Sequence, residues 1–411
     1  MKPTVLIAAT FRWFPTARLG MALANAGFAV AAVCPPRHPI CSIRTVSKLQ
    51  VYRGLNALAS FSEAIAKVNP HIVIPCDDLA VQHLHQLYGR ERLRGARGEA
   101  VCALLERSLG ASASFSILGA RAPFMKLAEE EGIRVPATAI VANDDELRAR
   151  ISEWDLPIVL KSDGTSGGDG VRIARSLDEA QQAFRTLQAP PLLARAVKRA
   201  LLDQDTRWVW PSLLRRRSTV NAQAFVAGSE ATSTVACWQG TVLASLHFEV
   251  LSKQDASGPS TVVRLIEHPE MSAAAERMVR RLNLSGMYGF DFMLEAQSSK
   301  AYLIEINPRA TQVGHLTLGP GRDLPAALYA ALTGRPIQES SPVTDKDTIT
   351  LFPHEWLRNP ESPFLRSSYH DVPWEEPEFV RLCVGTRKKR DRLYSQRGWA
   401  RSLSPARMPR R

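Results

Sequence analysis

Three oxygen-bearing side chains in two neighbouring segments could bind a metal ion. Asp291 lies in Gly-Phe-Asp-Phe, and Glu305 and Asn307 lie in Leu-Ile-Glu-Ile-Asn-Pro-Arg. Both segments have the composition of strands, so Glu305 and Asn307 point to one face and Asp291 can lie opposite them. Two carboxylates and an amide suit a hard cation such as Mg²⁺, completed by phosphate oxygens. The alternative is an ordinary hairpin with its polar residues facing solvent, and spacing alone does not separate the two.

A glycine-rich segment at 161–170 could bind phosphate. It lies between a predicted strand at 157–161 and another at 171–174. Its glycines and hydroxyl residues can direct backbone N–H groups at phosphate oxygens, and its lysine supplies a positive charge. The candidate residues are Lys161, Gly164, Thr165, Ser166, Gly167, Gly168 and Gly170. No Gly-Lys-Ser/Thr ends the segment and no helix follows it, which excludes a P-loop and a dinucleotide fingerprint. A glycine-rich turn is the alternative.

Strands and helices must position these residues, and two kinds of unit are predicted. In residues 1–115, buried-strand patterns alternate with helical patterns, which predicts a parallel sheet covered on both faces. Later segments predict two hairpins, one of them around Gln239-Gly240, together with intervening helices. Beyond residue 337 the periodicity weakens and prolines accumulate, which predicts an irregular extension. The fold class expected is therefore α/β, with an α+β second unit.

The positive charge of the chain is concentrated in two places. The 411 residues carry a formal net charge of +12, with 45% hydrophobic and 22% charged residues. Residues 381–411 account for +10 and residues 195–217 for +5, so the remaining body is slightly acidic. A uniformly basic nucleic-acid-binding body is thus excluded. The basic tail is either a solvated terminus or a contact arm for RNA, anionic lipid or an acidic partner.

The six cysteines are scattered and form no Cys-x-x-Cys pair. Such thiols are typical of a reduced compartment, so we expect a cytoplasmic protein. Cys34, His38 and Cys41 lie close in sequence, but a second ligand pair for a metal is missing. No apolar run approaches the length of a membrane span, so no membrane partner is expected.

Taken in order, these segments resemble the ATP-grasp superfamily. Lys126 precedes Gly-Ile-Arg-Val-Pro, the glycine loop follows, Gln223 opens Gln-Ala-Phe-Val-Ala-Gly-Ser-Glu, and Glu-Ile-Asn-Pro-Arg closes the series. The resemblance covers residues 1–334, and the last motif and the glycine loop are its most specific parts. It implies a preATP-grasp parallel-sheet domain at 1–115, an ATP-grasp domain at 116–336 with a lid at 157–226, and an extension at 337–411 with the basic tail.

The resemblance also implies roles for individual residues. Lys126 and Lys161 would contact ATP phosphates under the glycine loop, and Arg309 would steady the transferred phosphoryl group. The other expected nucleotide contacts are Phe225 and Val226 to adenine, Glu230 to ribose, and Met293 and Ile304 against the purine. Asp291, Glu305 and Asn307 would hold Mg²⁺ or Mn²⁺. Gln223 stands at a hinge position where the family usually has a carboxylate.

The activity implied is ATP-dependent activation of a small carboxylate as an acyl-phosphate, followed by attack of an amine. Lysines, an arginine and a metal would offset the repulsion between two anions in such a reaction. Alternatives are the use of bicarbonate, ligation at a protein or peptide end, and a nucleotide-binding regulator without catalysis. Candidate substrate contacts are Lys253, Arg264 and His315, and the resemblance is compatible with a homodimer.

Overall fold

The computed structural model describes residues 2–163, 170–190, 192–193, 196–197, 209–215, 217–256, 258–337 and 341–385, without the side chains of residues 210 and 211. Its first unit is a four-stranded parallel sheet in the order β3-β2-β1-β4. The strands are β1 (Thr4–Ala8), β2 (Ala29–Cys34), β3 (Val46–Val51) and β4 (Ile72–Pro75). The helices are α1 (Phe14–Asn25), α2 (Ala57–Val68), α3 (Asp78–Arg92), α4 (Glu99–Leu109) and α5 (Phe115–Leu118).

Alternation along β1 explains why helices cover both faces of this sheet. Val5 and Ile7 pack in one buried cluster with residues of α1, whereas Leu6 and Ala8 pack in another with residues of α2, α3 and α4. Successive side chains of a strand point to opposite faces, so a strand that is apolar throughout requires cover on both. The parallel sheet expected from the sequence is therefore present, while β3, which is mostly exposed, was not predicted.

The second unit begins with a small sheet in the order β5-β8-β6-β7. Its strands are β5 (Thr138–Val141), β6 (Ile158–Ser162), β7 (Val171–Ala174) and β8 (Val220–Ala224). The helices of this part of the chain are α6 (Arg121–Glu130), α7 (Asp144–Trp154), α8 (Leu177–Gln188) and α9 (Val209–Leu213). Residues of α7 and α8 cover the face that carries Ile158 and Leu160. The opposite face carries Lys161 and Gln223.

A seven-stranded sheet in the order β13-β12-β9-β10-β11-β14-β15 forms the larger part of the second unit. Its first five strands in the chain are β9 (Gly228–Trp238), β10 (Thr241–Lys253), β11 (Ser260–Leu265), β12 (Gly286–Glu295) and β13 (Ala301–Asn307). Two helices accompany them, α10 (Pro269–Arg281) and α11 (Leu324–Thr333). The turn between β9 and β10 has positive φ at Gln239 and Gly240, 48° and 78°, as a tight hairpin requires.

The C-terminal extension differs from the irregular segment that the sequence predicts. It contains β14 (Thr348–Thr350), α12 (His354–Arg358), α13 (Phe364–Ser367), β15 (Tyr369–His370) and a helix at 377–385. Two of the prolines that suggested irregularity, Pro353 and Pro363, directly precede α12 and α13, where the missing N–H has no helical partner. Phe379 and Cys383 are fully buried in the main core.

No single helix among the described residues is long and apolar enough to cross a membrane. One bent pair, Glu99–Leu109 with Ser112–Leu118, has the length and composition but is bent by 68°. Leu104, Leu105 and Leu109 of that pair are buried against the first sheet.

Candidate functional site

The pairing of β12 with β13 brings the three predicted metal ligands together. Asp291 lies directly opposite Glu305, and Asn307 lies opposite Gly289 two residues further along. The Asn307 Nδ2 donates to Asp291 Oδ2 at 2.9 Å, and the Thr232 hydroxyl donates to Asp291 Oδ1 at 2.9 Å. As the residue spacing predicts, one face of this hairpin carries two carboxylates and an amide.

The electrostatics of these carboxylates favour a bound cation. Burial raises the pKa of Asp291 to about 6, and the nearby Glu305 carboxylate adds to the rise. Two carboxylates and an amide are the ligand chemistry of a hard divalent cation that completes its shell with water or phosphate. No group of three or more His, Cys, Asp or Glu side chains in the described part of the chain has metal-site geometry. The residues present fit an ion held partly by a polyphosphate.

Arg121 joins the two sheets at this point. Its Nη2 donates to Glu305 Oε1 at 2.7 Å, and its Nη1 donates to the Ser162 carbonyl at 3.0 Å. Its Nε is buried without a hydrogen-bond partner among the described residues. A buried donor without a partner is costly, so this guanidinium is suited to bind an anionic ligand.

Arg121 was not singled out in the sequence, although one signal was available. Arg121 is the first residue of α6, where the helix dipole disfavours a positive charge. An arginine at such a position is therefore a signal that its charge has another role. Lys126, which was predicted instead, lies five residues later and has a 77% exposed side chain. Its ion pair, 4.0 Å long, is to Glu130 of the same helix. The structure brings Arg121, and not Lys126, into contact with Glu305.

Lys161 is buried on the open face of the small sheet, with 5% of its surface exposed. Burial lowers its pKa to about 8, although the carboxylates of Glu305 and Asp291 act in the opposite direction. Asn221 lies opposite Lys161 in the strand pairing, and its Oδ1 is buried without a partner among the described residues. The predicted loop residues Gly164, Thr165, Ser166, Gly167 and Gly168 lie outside the described residues. Gly170 accepts a backbone hydrogen bond from Ser162.

The residues predicted for the base and ribose lie where the two sheets join. Phe225 and Val226 form the link between β8 of the small sheet and β9 of the large one. Gln223 donates to Thr138 Oγ1 at 2.9 Å and is 3% exposed. Met293 lies opposite Glu230 on β9.

Two more predicted contacts belong to the same surface. Ile304 is half-buried at an irregularity of the β12–β13 pairing. Glu230 forms an ion pair with Lys253 at 2.5 Å, which places one of the three candidate substrate residues beside the predicted ribose contact.

Arg309 connects the metal-ligand face to the first unit. Its Nη2 donates to Asn307 Oδ1 at 3.1 Å and its Nε donates to Asp78 Oδ1 at 3.0 Å. The guanidinium lies 5.7 Å from the centre of the Trp13 ring. Burial acts to lower the pKa of Arg309, but the carboxylates of Asp78, Asp291 and Asp77 together outweigh it, and the pKa is raised. The site thus extends to the carboxyl ends of β1 and β4, where ligands of open parallel sheets bind.

The other two candidate substrate residues contact different groups. Arg264 pairs with Glu249 on the neighbouring strand. The His315 Nε2 donates to Asp371 Oδ2 at 2.6 Å, and both side chains are buried. Neither contact involves Glu305, Arg309 or Lys161.

Residues 212–313 match the sequence model of the ATP-grasp domain. The structure resembles the biotin carboxylase domain of Hydrogenobacter thermophilus 2-oxoglutarate carboxylase, solved with MgADP, ADP and bicarbonate, with a TM-score of 0.56 at 13% identity over 82% of this chain and 71% of that one. The chain has an ATP-grasp fold. Carboxyaminoimidazole ribonucleotide synthase from Aspergillus clavatus, solved with ATP, gives a TM-score of 0.57 at 15% identity over 83% of this chain and 79% of that one.

A curated relative matches part of this chain in sequence. The arginine-specific large chain of carbamoyl phosphate synthase from Geobacillus stearothermophilus is 24% identical over 273 residues, which are 65% of this chain and 24% of that protein. This chain therefore spans about a quarter of the length of that relative. The fold class and the family resemblance predicted from the sequence are confirmed.

Proposed function

We propose that this protein is an ATP- and Mg²⁺-dependent ligase. It activates a small carboxylate as an acyl-phosphate and couples it to an amine, with release of ADP and phosphate. The observation that carries the proposal is the meeting of the Asp291–Glu305–Asn307 set with Lys161 and Arg121 between two sheets. The two carboxylates can bind a metal ion, and the two positively charged side chains beside them can bind phosphate oxygens. This arrangement suits phosphoryl transfer, in which catalysis consists mainly of positioning and charge stabilisation.

Each charged group has a place in this reaction. When Mg²⁺ is bound, it supplies charge neutralisation at the phosphate oxygens. Asp291 and Glu305 supply the ligand charge, and Asn307 an amide oxygen. Lys161 and Arg121 contact the phosphates from the small-sheet side, and Arg309 stabilises the anionic carboxyl or acyl-phosphate beside the first unit. These fixed charges offset the repulsion between a carboxylate and ATP.

We assign the first phosphate contact to Arg121 in place of Lys126. The support is geometric, because Arg121 already reaches both Glu305 and the Ser162 carbonyl, and its Nε has no protein partner in the described chain. Lys126, with its 77% exposed side chain, has no part in this proposal.

The nucleotide base belongs at the junction of the two sheets. Gln223 lies on the open face of the small sheet, and Met293 and Ile304 on the facing hairpin are half-buried. Backbone groups of Phe225 and Val226 are available to adenine at the link, and Glu230 with Lys253 lies beside the ribose position. An amide at residue 223 serves as acceptor for the adenine amino group.

Bicarbonate is the second candidate for the acid. The observation that favours it is that one structural neighbour was solved with bicarbonate together with MgADP. Carboxyphosphate would then replace the acyl-phosphate, while the roles of Lys161, Arg121 and Arg309 stay the same.

Release of ADP in the presence of MgATP, pooled acids, bicarbonate and pooled amines tests the proposal. We expect release that depends on one acid, and a loss of about 100-fold in the Glu305→Gln variant. Glu295→Gln, at the far end of β12, is the matched control and should retain activity. Nucleotide binding without ADP release under every substrate combination would instead support a non-catalytic regulator.

A further inference from the structure

Two thiols of the first unit lie close enough to form a disulfide. Cys34 Sγ is 3.9 Å from Cys41 Sγ. Cys34 is the last residue of β2 and is buried, whereas Cys41 is exposed in the short 3₁₀ helix Pro39–Ser42. A disulfide needs the two sulfur atoms about 2 Å closer, which rotation of side chains can provide.

The backbone between the two cysteines holds them at this spacing. Cys41 N donates to the His38 carbonyl at 2.9 Å, and His38 N donates to the Pro35 carbonyl at 3.2 Å. Ile40 N donates to the His38 ring at 3.0 Å, and the Ile40 side chain is fully buried. Residues 35–41 therefore form a fixed loop, and the thiols meet in the folded chain without local unfolding.

The two thiols are chemically unequal. The contact with the Cys34 thiol lowers the pKa of Cys41 to about 7, while the same contact and burial raise the pKa of Cys34 well above its usual range. The exposed sulfur is thus the better nucleophile, and the buried sulfur is a partner that solvent does not reach.

We propose that Cys34 and Cys41 form a reversible disulfide in the folded protein, with Cys41 as the attacking and Cys34 as the resolving thiol. The oxidant is a peroxide. The Cys41 thiolate attacks a peroxide oxygen and breaks the O–O bond, giving a sulfenic acid and hydroxide. The Cys34 sulfur then attacks the Cys41 sulfur, the S–O bond breaks, and the leaving hydroxide takes the Cys34 proton as water. Two electrons pass to the peroxide, and a dithiol returns them in the reverse exchange.

The oxidised pair borders the candidate site. Arg12 Nε donates to the Pro36 carbonyl at 2.9 Å, and Trp13 N contacts the His38 Nε2 at 3.4 Å. The Trp13 ring packs on Arg309. The disulfide therefore adds a covalent constraint to the loop that supports the first-unit side of the site. This inference does not depend on the proposed ligase activity.

Peptide mapping of the intact, folded protein tests it. The reduced protein is treated with hydrogen peroxide, alkylated and digested with trypsin. Arg37 lies between the cysteines, so the peptides of Cys34 and Cys41 stay joined only by a disulfide. We expect the joined peptides in the wild type and their complete loss after treatment with dithiothreitol. Cys102→Ser removes the other incompletely buried thiol and should leave the joined peptides unchanged.

Two variants separate the steps. In Cys34→Ser we expect a sulfenic acid at Cys41 that dimedone traps, and in Cys41→Ser we expect Cys34 to stay reduced. The proposal is overturned if the folded wild type accumulates sulfinic acid at Cys41 while Cys34 stays free. It is equally overturned if the joined peptides form only after urea is added.

Discussion

The side chain of Arg121 contacts both sheets of the site. Its side chain is 12% exposed and meets Glu305, the Ser162 carbonyl and, at 3.9 Å, Asp163. Lys126 of the same helix has most of its surface in solvent. The two cations therefore offer a direct comparison of a buried and an exposed positive charge near one nucleotide site.

We predict that Arg121→Ala weakens binding of ADP and Mg²⁺ by roughly 10- to 100-fold, because a charge-assisted hydrogen bond to phosphate is lost. Lys126→Ala should change the dissociation constant less than about twofold, as exposed charges contribute little. Calorimetric titration of both variants measures this. A larger loss in Lys126→Ala than in Arg121→Ala would return the phosphate contact to Lys126.

Lys161 gives the site a dependence on pH. Because burial lowers its pKa to about 8, the folded protein holds the ammonium charge below that pH and loses it above. We expect ADP affinity to fall several-fold as the pH rises through 8. Lys161→Arg keeps its charge over this range and should show a flat profile. If the ADP affinity of Lys161→Arg depends on pH in the same way as that of the wild type, Lys161 is not the titrating group.

The sequence predicted some site residues and missed others for physical reasons. Asp291, Glu305 and Asn307 could be predicted because strand alternation fixes which side chains share a face. Arg121 could not be found in this way, since its role depends on α6 lying between two sheets. Asp78 and Trp13 reach Arg309 only because the first unit packs against the second.

At the scale of elements, the close pairing of β12 with β13 depends on Gly289. A Cβ at this position would lie 2.3 Å from Thr311 Cγ2 and 3.4 Å from Asn307 Cβ. Gly289 therefore leaves the space in which Asn307 and the following turn fit.

We predict that Gly289→Ala displaces Asn307 and lowers ATP turnover at least about tenfold, while the protein still folds with a loss of about 1–3 kcal/mol from overpacking. Gly89→Ala is the matched control, because nothing lies within 4 Å of a Cβ built there on α3. That variant should be as stable as the wild type or gain up to about 1 kcal/mol. Steady-state assays and urea unfolding measure both. Full turnover in Gly289→Ala would show that Asn307 tolerates the shift.

The predictable elements were those with a strong local pattern. The hairpin of β9 and β10 has alternating apolar residues around a Gln-Gly turn, so its pairing is local. By contrast, β14 has three residues and β15 has two. Ile349 of β14 pairs with Val263 of β11, which is distant in the sequence, and with Tyr369 of β15. A segment of two or three residues is too short to show a periodic pattern, and a partner that is distant in the sequence gives no local signal.

At the scale of the whole molecule, one buried ion cluster ties the extension to both units. Asp371 accepts hydrogen bonds from Arg18 of α1 and from His315, and its side chain is 4% exposed. Although burial acts to raise the pKa of Asp371, Arg18 and His315 outweigh it and hold that pKa below its ordinary value.

We predict that Asp371→Asn costs about 3–5 kcal/mol of unfolding free energy, because it leaves Arg18 buried without its nearest counter-charge. Since the folded pKa is lowered, this contribution is present above the ordinary pKa of 3.8 and is lost as the pH falls. Glu375→Gln is the control, as Glu375 is 65% exposed and 4.0 Å from Arg18. Urea unfolding at neutral and acid pH checks the expectation. Equal stability of the two variants would contradict it.

The two-residue strand β15 has a consequence for solubility. Without β14 and β15, strand β11 would be the last strand of the sheet and would carry an open row of backbone N–H and C=O groups. Open edges recruit strands from other molecules, and very short final strands are one way in which proteins prevent this. A chain cut near residue 337 would lose both strands and present β11 to its neighbours. Such a fragment is expected to aggregate even if its nucleotide site were intact.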